Sequence, residues 1–116
     1  MKPKEFQRYL ERDLERCYHC GIGDQTLVPQ HRAGRGMGGS KARAHRPSNI
    51  ITLCSIANGL LESDADFAQV GRDNGWKISS WEDPLAIPVR DLMSAEWYLL
   101  DDQGSRSITE TRIKIS

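Results

Sequence analysis

The sequence lacks any long apolar stretch, and this absence excludes one class of protein at once. No apolar run approaches the about 20 residues that a helix needs to cross a bilayer. The first 16 residues, MKPKEFQRYLERDLER, carry too many charges for a secretory signal peptide. We therefore expect a cytoplasmic protein that makes no use of a membrane.

Cysteine is also scarce, with 3 in 116 residues. An odd number cannot all pair within one chain, and without an export signal a disulfide framework is not expected. Cys17 and Cys20 stand in the sequence CYHC, whose spacing suits a metal-binding knuckle, whereas Cys54 lies far along the chain. The alternative interpretation is a set of buried or unengaged thiols.

The chain has no net charge, yet its charges are unevenly divided. Residues 1–49 contain ten Lys and Arg against five Asp and Glu, and residues 50–116 contain six against eleven. Residues 31–46, HRAGRGMGGSKARAHR, contain five basic side chains, two histidines and no acid. Such a glycine-rich loop is either solvated surface or a flexible wrap for a phosphate backbone. The neutral total indicates that any nucleic-acid site occupies one side only.

The sequence predicts a helix, then two strands, then further helix. Residues 3–16 have Phe6, Leu10 and Leu14 at helical spacing, and Pro3 suits a first helical turn. TLVPQH and NIITLC are predicted strands, the first at an edge or an end because of its proline. SIANGLLESD is a predicted short helix, and the residues after it contain short strand-like pieces. The order from residue 17 is knuckle, strand, basic loop, strand and helix, which is a ββα unit.

This unit resembles the HNH endonucleases, a family of ββα-metal nucleases. Members carry C-x-x-C, then [D/H]-H-x-x-P-R-S-x-G-G, then N-[LI]-x-x-L-C-x-x-C-[HN]. The stretches CYHC, QHRAGRGMGG and NIITLCSIAN follow the same order and spacing, over residues 17–62. The resemblance implies a nuclease core that uses a divalent metal ion, Mg²⁺ or a similar ion.

The resemblance also implies roles for individual residues. His31 matches the histidine that acts as the general base, and a neutral imidazole suits that task near neutral pH. Asn49 matches the asparagine that holds the loop and the base through backbone hydrogen bonds, although asparagine before a strand is also a common turn residue. Asn58 matches a metal ligand, and its alternative is an ordinary polar residue early in a helix.

Two positions depart from the family pattern. Gln30 stands where the family has Asp or His, and an amide oxygen brings no negative charge to a hard cation. Glu62, four residues after Asn58 on the same helical face, could restore that charge or could simply face solvent. Ala57 stands where a fourth zinc cysteine is expected, so Cys17, Cys20 and Cys54 are one ligand short. His19 or His45 could supply it, or the thiols could only be packed.

The basic loop is expected to run along a DNA backbone beside His31, contacting phosphates without reading bases. The candidate contacts are Arg32, Arg35, Lys41, Arg43 and Arg46.

We therefore expect a single α+β domain over residues 1–116. It has a small ββα-metal core at 17–62, an N-terminal helix, and a β-rich extension with a helix at 63–116. The expected function is metal-dependent cleavage or nicking of DNA, with double-stranded DNA as the expected substrate. The resemblance also suggests a phage origin. The alternative is a non-catalytic DNA-binding or interaction module on a degenerate HNH scaffold. A third interpretation, a purely structural zinc-knuckle protein, would not explain why His31 occupies the position of the family's catalytic histidine.

Overall fold

The computed structural model describes residues 1–34 and 44–109, and it is an α+β fold with two small antiparallel sheets. Within those ranges no helix is both long and apolar enough to cross a membrane. The elements in chain order are α1 (Pro3–Arg12), β1 (Leu27–His31), a 3-10 turn (Pro47–Asn49), β2 (Ile50–Cys54), α2 (Ser55–Ser63), α3 (Ala65–Asp73), β3 (Val89–Asp91), β4 (Glu96–Leu100) and β5 (Arg106–Thr109).

Helix α1 is shorter than the predicted 3–16. The helix ends at Arg12, and Leu14 and Glu15 adopt left-handed backbone angles, with φ of 60° and 52°. Tyr9 is buried, whereas Leu14, one of the apolar residues at helical spacing, is 61% exposed. The apolar spacing therefore continued past the point where the helix ends.

The physical reason is the carboxylate of Asp13, which is fully buried. It accepts two hydrogen bonds from Arg12, at 2.8 and 3.0 Å, and one from the Tyr18 hydroxyl at 2.7 Å. The backbone and hydroxyl of Thr52 in β2 also donate to it, at 3.2 and 2.9 Å. A buried carboxylate needs such partners, and the chain leaves the helix at Asp13 to supply them.

Strands β1 and β2 form an antiparallel pair, and α2 follows β2 without a linker and contacts both strands. Every residue of β2 is buried, as the β-branched run NIITLC predicted. The register places Gln30 opposite Ile51 and His31 opposite Ile50. The predicted order of two strands and a helix is thus confirmed for residues 27–63.

The hydrophobic core is shared between the two halves of the chain. Cys17, Ile51 and Leu53 pack in one cluster with Trp76, Val89 and Leu100 from the later residues. The later residues also form the second sheet, in which β4 lies between β3 and β5 with both pairings antiparallel.

Ion pairs between the halves account for part of the uneven charge distribution. Arg16 Nη2 lies 3.1 Å from the buried Asp91 carboxylate, and Arg46 Nη2 lies 2.6 Å from Asp102. Acids of residues 50–116 therefore neutralise arginines of residues 1–49 inside one molecule. The acidic half had no explanation from sequence alone, and these contacts supply one.

Candidate functional site

His31 lies at the end of β1, half-buried, where the basic loop begins. Its ring contacts that of His45, with 5.0 Å between ring centroids and 56° between ring planes. His45 is 14 positions further along the chain, just beyond the loop. The two stems of the loop therefore meet at a pair of imidazoles.

Asn49 holds those two stems together. Its side chain is buried, and its Oδ1 accepts from the backbone N–H of Ala33 at 2.8 Å. Its Nδ2 donates to the carbonyls of Ala33 and Ala44, each at 3.0 Å. One amide thus spans the start and the end of the loop, a pairing that needs both a donor and an acceptor on one side chain.

Gln30 and Asn58, the two neutral candidate metal ligands, are in direct contact. The Nδ2 group of Asn58 donates to Oε1 of Gln30, which joins β1 to α2. Gln30 Nε2 in turn donates to the carbonyl of His31 at 2.8 Å, so the buried amide also fixes the backbone that carries the imidazole.

Glu62 lies on α2 one turn beyond Asn58, and it is turned toward Lys77. Its carboxylate is 3.6 Å from Lys77 Nζ, and its side chain is 73% exposed. This placement agrees with the solvent-facing alternative.

Arg32 was expected to contact phosphate, but it is a buried anchor. Its side chain is 1% exposed and donates to four backbone carbonyls at 2.6 to 3.0 Å. Those carbonyls belong to Ser48, Gly75, Pro84 and Ile87. Burial lowers the pKa of Arg32 to about 10, so the guanidinium remains charged near neutral pH. Its donors face the protein interior and not a DNA backbone.

The other predicted phosphate contacts divide into two groups. Arg35, Lys41 and Arg43 lie outside the described residues. Arg46 is half-buried and donates twice to Asp102, at 3.0 and 2.6 Å, with Asp83 3.8 Å away. The bond from Arg46 lowers the pKa of Asp102 to about 2, so this contact loses strength only as the pH falls well below 4.

Cys17, Cys20 and Cys54 come together although 37 positions separate the first from the last. Their sulfur atoms all lie within 4.8 Å of one another, and those of Cys20 and Cys54 are 3.9 Å apart. In tetrahedral zinc sites with Zn–S bonds of about 2.3 Å, sulfurs are about 3.8 Å apart. The three cysteines could therefore hold a metal ion such as zinc.

Local hydrogen bonds support this arrangement of sulfurs. The N–H of His19 donates to Cys17 Sγ at 3.3 Å, and that of Ala57 donates to Cys54 Sγ at 3.4 Å. Burial raises the pKa of Cys17 to about 11. For Cys20, burial acts in the same direction, but hydrogen bonds from the Ile22 backbone and the neighbouring thiols outweigh it and lower the pKa.

Neither histidine proposed as the fourth ligand joins the three sulfurs. The His19 ring packs edge-on against Phe67 and Trp76, with centroids 5.0 and 5.7 Å apart. His45 instead lies against His31. Among residues 1–34 and 44–109, the cluster of potential ligands comprises the three cysteines alone. A bound ion would complete its coordination with water or another external ligand.

We expect saturating Zn²⁺ to raise the free energy of unfolding by about 3 kcal/mol, the linkage value for an ion near 100 times its Kd. Cys20→Ser should remove the part of this gain that the cysteine cluster contributes, because it removes one of three thiolates. Cys20 is exposed, so without metal the variant and the wild type should unfold within about 0.5 kcal/mol of each other. Urea unfolding with zinc and with chelator provides both comparisons. A gain of undiminished size in Cys20→Ser would show that the stabilising zinc does not bind the cysteine cluster.

Sequence reasoning named His45 only as a possible zinc ligand and missed its contact with His31. Asn49 could have indicated this contact. The resemblance implies that Asn49 holds the loop through backbone hydrogen bonds, and its bonds to Ala33 and Ala44 bring His45 close to His31. The chain matches no family model, no curated protein and no solved structure, so the geometry of the site carries the functional interpretation.

Proposed function

We propose that this protein is a metal-dependent endonuclease of the HNH type that hydrolyses phosphodiester bonds in DNA. The observation that supports this most is the convergence of the motif residues. These residues, Gln30, His31, Asn49 and Asn58, are spread over 29 positions. Asn58 donates to Gln30, Gln30 donates to the His31 carbonyl, and Asn49 accepts from the N–H of Ala33, two residues after His31.

His31 is the proposed general base. Hydrolysis needs a group that takes a proton from the attacking water, and imidazole titrates near the pH at which such enzymes work. Gln30 fixes the His31 carbonyl and Asn49 fixes the following stem, so the ring is carried on a backbone held from both sides. The loop that starts and ends at this point carries three basic residues and no acid over positions 35–43, which suits a phosphate backbone.

Gln30 and Asn58 fit a hard cation as neutral oxygen donors. In the structure Asn58 Nδ2 donates to Gln30 Oε1. A 180° rotation of the Asn58 amide would exchange its nitrogen and oxygen and bring Asn58 Oδ1 next to Gln30 Oε1. Two facing oxygens repel unless a cation lies between them. A divalent ion bound there would stabilise negative charge that develops on the phosphate. The donor pair itself brings no charge, so the phosphate would have to contribute it.

Plasmid relaxation tests the proposal. With Mg²⁺, Mn²⁺ or Ni²⁺, we expect conversion of supercoiled plasmid to nicked or linear forms, and we expect chelator to abolish it. The control is the His31→Ala variant, purified and assayed with metal in the same way. Its plasmid cleavage should be far slower than that of the wild type. DNA binding without cleavage across all three ions would contradict the proposed activity.

A second candidate function is DNA binding without catalysis. Two observations favour it: the Gln30–Asn58 hydrogen bond satisfies both amides without a metal ion, and the Glu62 carboxylate points to Lys77. A scaffold with these features could keep the loop and its stems while binding no catalytic ion.

Gln30→Asp separates the two candidates. The variant places a carboxylate beside His31, and we expect the Mg²⁺ concentration for half-maximal cleavage to fall by about tenfold, because hard cations favour charged oxygen ligands. Gln30→Asn is the matched control, since it shortens the side chain equally and adds no charge. Cleavage by the Asp variant alone, with an inert wild type, would identify the natural protein as a binding module.

A further inference from the structure

The pair formed by His31 and His45 is a feature that the proposed function does not explain. Neither the general-base role of His31 nor the three-cysteine cluster requires a second imidazole at this place. The two rings come from opposite stems of the loop and are tilted at 56°, with centroids 5.0 Å apart. Both residues are half-buried.

The spacing of the rings matches that of two histidines on one metal ion. With a metal–nitrogen bond of about 2.05 Å, a ring centroid lies about 3.2 Å from the ion. At a tetrahedral angle, two such centroids are then about 5.2 Å apart. The observed 5.0 Å is close to this separation.

Hydrogen bonds from buried and half-buried side chains fix the backbone on which the two histidines lie. The buried Asn49 amide bonds Ala33, two residues after His31, and Ala44, directly before His45. A second restraint comes from Arg46, the residue after His45, through its two bonds to Asp102. Both stems are thus fixed within two residues of each imidazole.

We propose that His31 and His45 together bind one transition-metal ion, distinct from an ion on the three cysteines. Imidazole suits Zn²⁺ and Cu²⁺, whereas Mg²⁺ prefers oxygen ligands, so this site discriminates against Mg²⁺, one of the ions expected to support cleavage. Two protein ligands leave the remaining positions to water. The ion is held through the nitrogens of the two rings, with Asn49 as the positioning residue.

This binding has a consequence for activity, which rests on the proposed nuclease function. An ion on His31 occupies the nitrogen lone pair of a ring that would otherwise accept a proton. Zn²⁺ should therefore inhibit cleavage supported by Mg²⁺, and the inhibition should require His45.

The test counts Zn²⁺ equivalents bound by the full chain, using competition with a chromophoric chelator. We expect His45→Gln to bind one equivalent fewer than the wild type and to retain the equivalent that Cys20→Ser loses. In the wild type, Zn²⁺ should also shift the ring proton resonances of His31 and His45 by NMR. In Cys20→Ser, which disables the cysteine cluster, the His19 ring packed on Phe67 and Trp76 serves as an internal control and should not respond to Zn²⁺.

Unchanged stoichiometry in a folded His45→Gln variant would overturn the proposal, and so would Zn²⁺ shifts confined to residues around the cysteines. If His45→Gln fails to fold, the NMR titration of the wild type decides alone. Loss of one equivalent in a protein that never cleaves DNA would uphold the metal site and contradict the nuclease. Zinc-inhibited cleavage that His45→Gln relieves would support both.

Discussion

Replacing His31 by alanine is expected to lower the rate of metal-supported plasmid cleavage by about two to four orders of magnitude, the usual contribution of a general base. The substitution removes the only group in the proposed site that takes a proton from water. DNA affinity should change little, because the imidazole is not among the basic groups expected to bind phosphate. Initial rates of nicking at saturating metal provide the measurement.

His19→Ala is the matched control for this experiment. It removes an imidazole of the same size whose ring packs on Phe67 and Trp76 and does not contact His31. Cleavage by His19→Ala should stay within a few-fold of the wild type when both are folded. A His31→Ala protein that cleaves at the wild-type rate would remove His31 from the mechanism.

Arg32→Met is expected to lower the free energy of unfolding by about 3–5 kcal/mol. Methionine fills similar space but donates nothing, so four buried carbonyls lose their partner at once. For a domain of this size the loss corresponds to a fall in Tm of roughly 10–20 °C. Urea and thermal unfolding of the purified variant measure both quantities.

Two comparisons make the Arg32 result specific. Arg8→Met alters an exposed arginine that makes one long bond of 3.4 Å, and it should cost under about 0.5 kcal/mol. Arg32→Lys keeps the charge but lacks the planar fork, so its stability should fall between those of the wild type and Arg32→Met. Equal unfolding midpoints for Arg8→Met and Arg32→Met would mean that the four bonds contribute nothing net.

The elements that sequence predicted correctly are those fixed by local pattern. The β-branched run around Ile51 predicted β2, and all five residues of that strand are buried. The end of α1 could not be found in this way, because it depends on Asp13 meeting Thr52, 39 positions away. Distant partners leave no trace in the spacing of neighbouring residues.

The same distinction applies to the candidate site. Motif register was enough to single out Asn49 and to pair Gln30 with Asn58 as neighbours of His31. It could not show that Arg32, one position from His31, turns inward, since its acceptors lie 16 to 55 positions along the chain. An arginine at the start of a basic loop is predicted to be exposed unless the backbone carbonyls that accept its hydrogen bonds are known.

The buried hydrogen bonds of Arg32 determine which parts of this protein can fold in isolation. Residues 17–62 contain all the motif positions, but the residue beside His31 is tied to carbonyls at 75, 84 and 87. Trp76, Val89 and Leu100 also complete the cluster that covers β2. An excised 17–62 fragment would leave a buried cation and an apolar strand face exposed to water. The proposed catalytic motif is therefore not a portable module, and transplanting it to another scaffold would require the later half of the chain as well.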